Sequence, residues 1–118
     1  MATDAQIDDL VSRGADDWVH MAEVAWVARS AGGATTDDEI RVVSLDLIRE
    51  VLVAGLMEAG DLTRQGFFAW GLAPTEALNR IERSWELLDR DPAPGDVCWL
   101  ENTEAGNHRA ASSHEVPG

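Results

Sequence analysis

Apolar residues recur at three- and four-residue spacing through the first third of the chain, which predicts helices. An apolar stripe over residues 7–11 ends where Gly14 interrupts it. A second helix is predicted from Asp16, a favourable N-cap, to Ser30, because the glycine pair 32–33 follows. The chain therefore begins with two predicted helices.

The predicted second helix is apolar on more than one side. Val24 and Val27 lie on one side, and the opposite face carries Trp18, Ala22, Ala25, Trp26 and Arg29. A helix of this kind is usually central or covered by a partner. We therefore expect it to be the most buried helix of the fold, or one that dimerises.

The next segment carries two helix start signals. Thr36 and Glu39 have the spacing of a capping box and begin a short helical segment over residues 40–43, after which Ser44 caps again. The helix that follows is apolar at three- and four-residue spacing and ends at Gly55. Its apolar stripe consists of Leu45, Ile48, Leu52 and Leu56.

A hairpin, a helix and a short strand complete the pattern. Residues 56–63 read as a strand, 64–66 as a turn and 67–70 as the returning strand. Pro74 begins a helix whose predicted buried stripe is Ala77, Leu78, Ile81, Trp85 and Leu88. After a rigid loop over 91–96, residues 97–100 are strand-like, and Thr103 caps a last helical turn.

These elements predict a mainly α, α+β domain of four to five helices with a small two- or three-stranded antiparallel sheet. The chain length fits one domain over residues 1–111, and residues 112–118 are expected to form a flexible tail.

The helix that ends in Ala54-Gly55-Leu56-Met57 and runs into a hairpin resembles the winged-helix fold. The matching span is 36–70, with 16–30 as the first helix. Residues 100–106 also resemble the L-x-x-T-x-x-G ending of MarR-type and PadR-type regulators, although here the motif follows an additional helix. The order and spacing of the predicted elements along the whole chain are similar to those of small acidic actinobacterial proteins, and this resemblance implies no activity.

The charge of the chain argues against nucleic acid. Asp and Glu number 22 against nine basic residues, all of them Arg, which gives a net charge of -13. Such a charge repels DNA and anionic membranes and speeds the encounter with a basic partner. No apolar run is long enough for a membrane span, no signal peptide is visible, and the single Cys98 predicts a cytoplasmic protein.

The winged-helix resemblance nevertheless implies a recognition helix over 44–54. Its outward residues would be Asp46, Arg49, Glu50 and Val53, which offer one cation among carboxylates. DNA affinity depends on neutralising several phosphates. A DNA-binding regulator is therefore the alternative hypothesis, and its contacts, concentrated on one face by dimerisation, would be Arg41, Arg49 and Arg64.

No pattern for catalysis, metal or cofactor binding stands out. The serines lack elbow glycines, and Gly32-Gly33 is not part of a phosphate-binding loop. Asp16, His20 and Glu23 share a predicted helical stripe, but the acids are better explained as caps. We expect no enzyme activity, no metal and no cofactor, and a packing role for Cys98. A small metal- or ligand-responsive protein is the second alternative.

The chain contains five tryptophans, and this excess of tryptophan points to a binding surface. Trp18, Trp26 and Trp85 occupy helical stripes and are expected in the core, whereas Trp70 and Trp99 lie on strands beside loops. Exposed Trp is common in binding hot spots. The favoured hypothesis is a non-enzymatic interaction module for a protein partner, basic or a second copy of the chain. Its predicted patch is Phe67, Phe68, Trp70 and Trp99.

Overall fold

The structure, a computed structural model, describes residues 2–30, 33–88 and 92–114. Within these ranges it contains five helices and four strands, which confirms the α+β class. In chain order the elements are α1 (Asp4–Asp16), β1 (Val19–His20), α2 (Met21–Ser30), α3 (Asp37–Val53), β2 (Met57–Thr63), β3 (Gly66–Ala69), α4 (Pro74–Glu86), β4 (Trp99–Asn102) and α5 (Glu104–His114).

The strands form one antiparallel sheet in the order β1-β4-β2-β3. It has one strand more than the largest sheet that the sequence predicted. The additional strand is β1, which pairs Val19 with Leu100 and His20 with Trp99. Two residues are too few for alternation to mark a strand, so only the pairing with β4 reveals it.

The predicted helix over 16–30 is wrong in its first part. α1 continues through Gly14 and ends at Asp16, so Asp16 is not an N-cap, and α2 begins only at Met21. A Cβ atom at Gly14 would overlap the side chain of Asn102 on β4. The glycine therefore permits close packing of α1 on the sheet and does not interrupt the helix.

The buried face of α2 also differs from the prediction. Val24 and Val27 are fully buried in the core, whereas Trp26 is 55% exposed. The expectation that Trp26 lies in the core is therefore wrong, although Ala25 on the same predicted face is buried. With β1 immediately before it, α2 turns its valines toward the sheet and α3.

α3 is one continuous helix of 17 residues rather than two segments. Thr36 is its N-cap, as predicted, and accepts a hydrogen bond from the backbone N–H of Glu39 at 3.1 Å. Ser44 does not cap a second helix and is fully buried in the middle of α3. The helix ends at Val53, with Gly55 in the left-handed conformation (φ 71°), so the predicted stop is confirmed.

The hairpin and the start of α4 agree closely with the prediction, whereas β4 covers Trp99–Asn102 rather than residues 97–100. Pro74 is at the start of α4, whose buried residues Ala77, Ile81 and Trp85 belong to the predicted stripe. Thr103 Oγ1 accepts from the backbone N–H of Gly106 at 3.2 Å and begins α5. That helix includes 112–114, whereas Asp91 of the predicted rigid loop and residues 115–118 of the predicted tail lie outside the described residues.

The core lies on one face of the sheet. Val19, Met57, Ala59 and Leu100 point into it and join buried side chains from all five helices. The opposite face of the sheet, called here the outer face, carries side chains that are partly or fully exposed, apart from Gly60. Its residues are His20, Glu58, Gly60, Leu62, Phe67, Ala69, Trp99 and Glu101. In the described part of the chain, no helix has the length and apolar character needed to cross a membrane.

Candidate functional site

The alternation of strand residues divides the predicted aromatic patch between the two faces of the sheet. Gly60 pairs with Trp99 on one side and Ala69 on the other, and Leu62 pairs with Phe67. Phe67 and Trp99 therefore lie together on the outer face. Phe68 pairs with Asp61 and points to the other side of the sheet.

Gly60 allows the Phe67 ring to lie close to the sheet. A Cβ atom at Gly60 would overlap the Phe68 carbonyl oxygen of β3 and approach the Phe67 Cζ atom to 2.7 Å, so a side chain there would displace both the strand and the ring. The ring thus covers the backbone of β2 next to Trp99. The sequence alone shows a glycine in a strand, which often marks close approach of another group.

Trp99 is flanked by a histidine and a second tryptophan. The His20 ring meets Trp99 edge-on, with ring centroids 5.6 Å apart. His20 Nδ1 accepts from the backbone N–H of Glu23 at 3.3 Å. Trp18, half-buried, donates its indole N–H to Glu101 Oε1 at 3.3 Å. The aromatic part of the outer face therefore extends from Trp18 to Phe67 across the sheet.

Two carboxylates face each other beside these aromatic rings. Glu58 on β2 and Glu101 on β4 are direct cross-strand partners on the outer face. Directly opposed residues have Cβ atoms about 4.5–5.5 Å apart, and like charges there destabilise the sheet. Among the described residues, neither carboxylate has an ion-pair partner, and Glu101 has only the indole N–H of Trp18. The pair therefore places two negative charges opposite each other on the outer face.

Trp70 and Phe68 occupy different surroundings from the outer-face rings. Trp70 packs against the core, and the Arg80 guanidinium lies 3.8 Å from its ring centroid. Phe68 is 54% exposed near the free end of the sheet. The four predicted rings therefore do not form one surface. Only Phe67 and Trp99 lie together on the outer face, and Trp18 extends the surface that they form.

A pocket of about 300 Å³ lies between the end of α3, β2 and the segment that leads into α4. Its walls are mostly apolar, including Leu52, Met57 and Leu72. Glu58 and Thr103 contribute the polar side chains, and these do not form a nucleophile–base pair.

Cys98 is buried against Met21, with 3.7 Å between the two sulfur atoms. Burial, together with the nearby negative charge of Asp61, raises the pKa of the thiol to about 12. Such a thiol stays protonated and unreactive at neutral pH. The prediction that Cys98 is a buried packing residue is confirmed.

Of the residues considered for metal binding, His20 and Glu23 are in contact, whereas Asp16 lies on a different element. Asp16 ends α1, while Glu23 lies 3.4 Å from His20 and 3.6 Å from Arg13. Over residues 2–30, 33–88 and 92–114, no group of three His, Cys, Asp or Glu side chains could hold a metal ion.

The arginines proposed for DNA contacts differ in their surroundings. Arg41 pairs with Glu86 of α4 at 3.2 Å, Arg49 is exposed on α3, and Arg64 is exposed at the hairpin turn. The outward stripe of α3 also contains Val42 and Val53, both more than 60% exposed. The stripe is therefore partly apolar and carries a single arginine.

Comparisons with protein-family models, with curated proteins and with solved structures find no match to this chain. Sequence reasoning missed the contributions of Trp18, Glu58 and Glu101 to the outer face. The alternation over 57–63 places Glu58 on the same side as Leu62, but only the β2–β4 register brings Glu101 opposite it.

Proposed function

We propose that this chain is a non-enzymatic interaction module that binds a basic segment of a protein partner on the outer face of its sheet. The observation that carries the proposal is the opposed pair Glu58 and Glu101 beside the partly exposed rings of Trp18, Trp99 and Phe67. A lysine or arginine of the partner relieves the repulsion between the carboxylates, and apolar side chains beside it cover the rings.

The physical terms favour such a partner over an uncharged one. A cation placed over an indole ring gains about 0.5–2 kcal/mol from the ring quadrupole. The net charge of -13 steers a basic partner toward the chain and repels an acidic one. The aromatic rings supply the apolar burial, and the carboxylates supply orientation.

The scaffold of this module is, in our proposal, winged-helix-like and cytoplasmic. Support comes from α3, which ends at Val53 and passes through the left-handed Gly55 directly into the β2–β3 hairpin. The strand order departs from a simple helix-plus-wing arrangement, because β4 lies between β1 and β2 and follows the additional helix α4.

A peptide-binding experiment tests the proposed function. Random displayed peptides are selected on the purified chain, and the affinity of the recovered peptides is measured by tryptophan fluorescence at low and high salt. We expect peptides that combine Arg or Lys with apolar residues, and affinity that falls as salt screens the charges.

The matched variants are E58Q/E101Q and D37N/D38N, which each remove two negative charges. The first should weaken binding roughly tenfold by removing the charge pair, while the amide oxygen introduced at position 101 still accepts from Trp18. The second lies at the α3 N-terminus and should change binding little. Recovery of peptides without basic residues, or equal binding by E58Q/E101Q and the wild type, would contradict the proposal.

The alternative of a DNA-binding regulator draws support only from the exposure of Arg49 and Arg64. A mobility-shift titration on mixed duplex at low salt addresses it. Sequence-selective binding that persists at physiological salt would replace the interaction proposal, because the outer face contributes no cations to it. For a metal- or ligand-responsive protein, the apolar 300 Å³ pocket beside Glu58 is a cavity of suitable size.

A further inference from the structure

Within residues 2–30, 33–88 and 92–114, the strand β3 lies at one end of the sheet and pairs only with β2. The backbone N–H of Trp70 donates to the Ala59 carbonyl at 3.0 Å, just beyond the end of β3. Residues that bond to the neighbouring strand alternate in an antiparallel ladder. Phe68 therefore bonds to β2, while the N–H and C=O groups of Phe67 and Ala69 point away from the sheet.

This free edge carries none of the features that usually keep sheet edges apart. Charged side chains, prolines and bulges normally prevent edge-to-edge pairing. The eleven residues from Gln65 to Thr75 have no charged side chain, the longest such run in a chain of which 26% is charged. Within it, Phe68 is 54% exposed and Leu72 is 39% exposed. The edge is therefore uncharged, apolar and accessible.

We propose that β3 pairs antiparallel with β3 of a second copy of this chain, about a two-fold axis at Phe68. A second copy has the same net charge of -13, so two copies repel each other over most of their surfaces. The uncharged edge is where they approach with least repulsion. The sheet then continues across both copies.

The sequence of β3 is self-complementary in this register. Phe67 lies opposite Ala69 of the second copy, so a large side chain meets a small one on both sides of the axis, and both residues exchange backbone hydrogen bonds. Phe68 lies opposite Phe68 of the second copy at a non-hydrogen-bonded position, where side chains are closest. Aromatic pairs at such positions stabilise sheets.

The charges at the ends of the edge also fit this register. Arg64 at the hairpin turn lies alongside Leu72 of the second copy, close to where α4 of that copy begins with Glu76 in its first turn. The two-fold axis repeats this approach of opposite charges at the other end. Pairing at the edge leaves the outer face uncovered in both copies, so it does not rest on the proposed function.

The experiment measures the mass of the protein in solution by sedimentation equilibrium across concentration and salt. We expect a species of twice the 12.8 kDa chain mass, and association that strengthens as salt screens the repulsion between acidic copies. Binding of a basic partner to the outer face has the opposite salt dependence, so failure of either proposal is distinguishable from failure of the other.

Charge variants at the axis test the register. Phe68→Glu and Phe68→Lys each place like charges opposite each other and should be monomeric, whereas an equimolar mixture should form a heterodimer. Ala69→Pro removes only an outward N–H and should also weaken association, with the fold checked by circular dichroism. Val53→Glu, at an exposed position at the end of α3, is the control that should leave the dimer intact. A monomeric wild type at high concentration and salt, or an F68E chain that still dimerises, would overturn the proposal.

Discussion

We expect the stability of this protein between pH 9 and 12 to depend on one thiol. The pKa of Cys98 rises from its ordinary value of 9.0 to about 12, first because of burial and then because of the charge of Asp61. The chain contains no lysine and no tyrosine, and arginine titrates at higher pH. Cys98 is therefore the side chain that changes charge within this range.

The sign and the size follow from linkage. A thiol whose pKa is higher in the folded state contributes stability that is complete below pH 9.0 and is lost as the pH rises toward about 12. Each pH unit between the two values corresponds to 1.36 kcal/mol, a conversion that holds for any titrating group. At pH 11 the loss is therefore about 3 kcal/mol, a large part of a typical stability of about 5–15 kcal/mol.

Urea denaturation followed by circular dichroism at pH 8 and pH 11 measures this loss. A fall of about 3 kcal/mol moves the wild-type midpoint down by roughly 1–3 M urea. Cys98→Ala has a small cavity and a lower stability at every pH, but its stability should not fall between the two pH values. Parallel losses in the wild type and the variant would refute the role of Cys98.

Four substitutions test the packing and the helix capping of the fold. Gly106→Ala improves helix propensity, but its Cβ atom would overlap the Leu56 carbonyl, so we expect a loss of about 1–3 kcal/mol. Thr36→Ala removes the N-cap of α3 and should cost about 1 kcal/mol. Val27→Ala empties part of the core and should cost roughly 2 kcal/mol, whereas Trp26→Ala, although a larger truncation, should cost less because Trp26 is mostly exposed. Thermal and urea denaturation measure all of these changes.

Control variants distinguish the effect of packing on stability from the effect of helix propensity. Ala105→Gly, at an exposed neighbour in α5, should cost no more than the propensity difference of about 1 kcal/mol. An unchanged or raised melting temperature for Gly106→Ala would show that α5 does not approach Leu56 so closely. If Trp26→Ala lowered the free energy of unfolding more than Val27→Ala, Trp26 would lie in the core, as the sequence pattern predicted.

Local signals were enough to place most element ends. Thr36, Gly55 and Pro74 fix backbone groups within one turn of themselves, and each marks a boundary that the structure confirms. Gly14 was misleading because glycine serves two purposes. It ends helices when the chain needs a left-handed conformation, and it permits close packing when a neighbour such as Asn102 approaches.

The candidate site was predictable only in part. Clustered aromatic residues over 67–70 indicated a binding surface, but neighbours along a strand point to opposite faces, so the cluster divides between them. Trp18 joins the surface only because β1 pairs with β4 and places it beside Glu101. Register between distant strands depends on the packing of the whole sheet, which the residue pattern does not encode.

The sequence by itself determined the α+β class, the helix caps, the hairpin and the acidic character of the chain, because each depends on the residue types within a few positions or on composition. Only the tertiary structure decided which face of α2 is buried, that Glu58 opposes Glu101, and that β3 is a free edge. These features arise from contacts between segments that lie far apart in the chain, where the free energy of burial selects one phase and one register among several that local preferences allow.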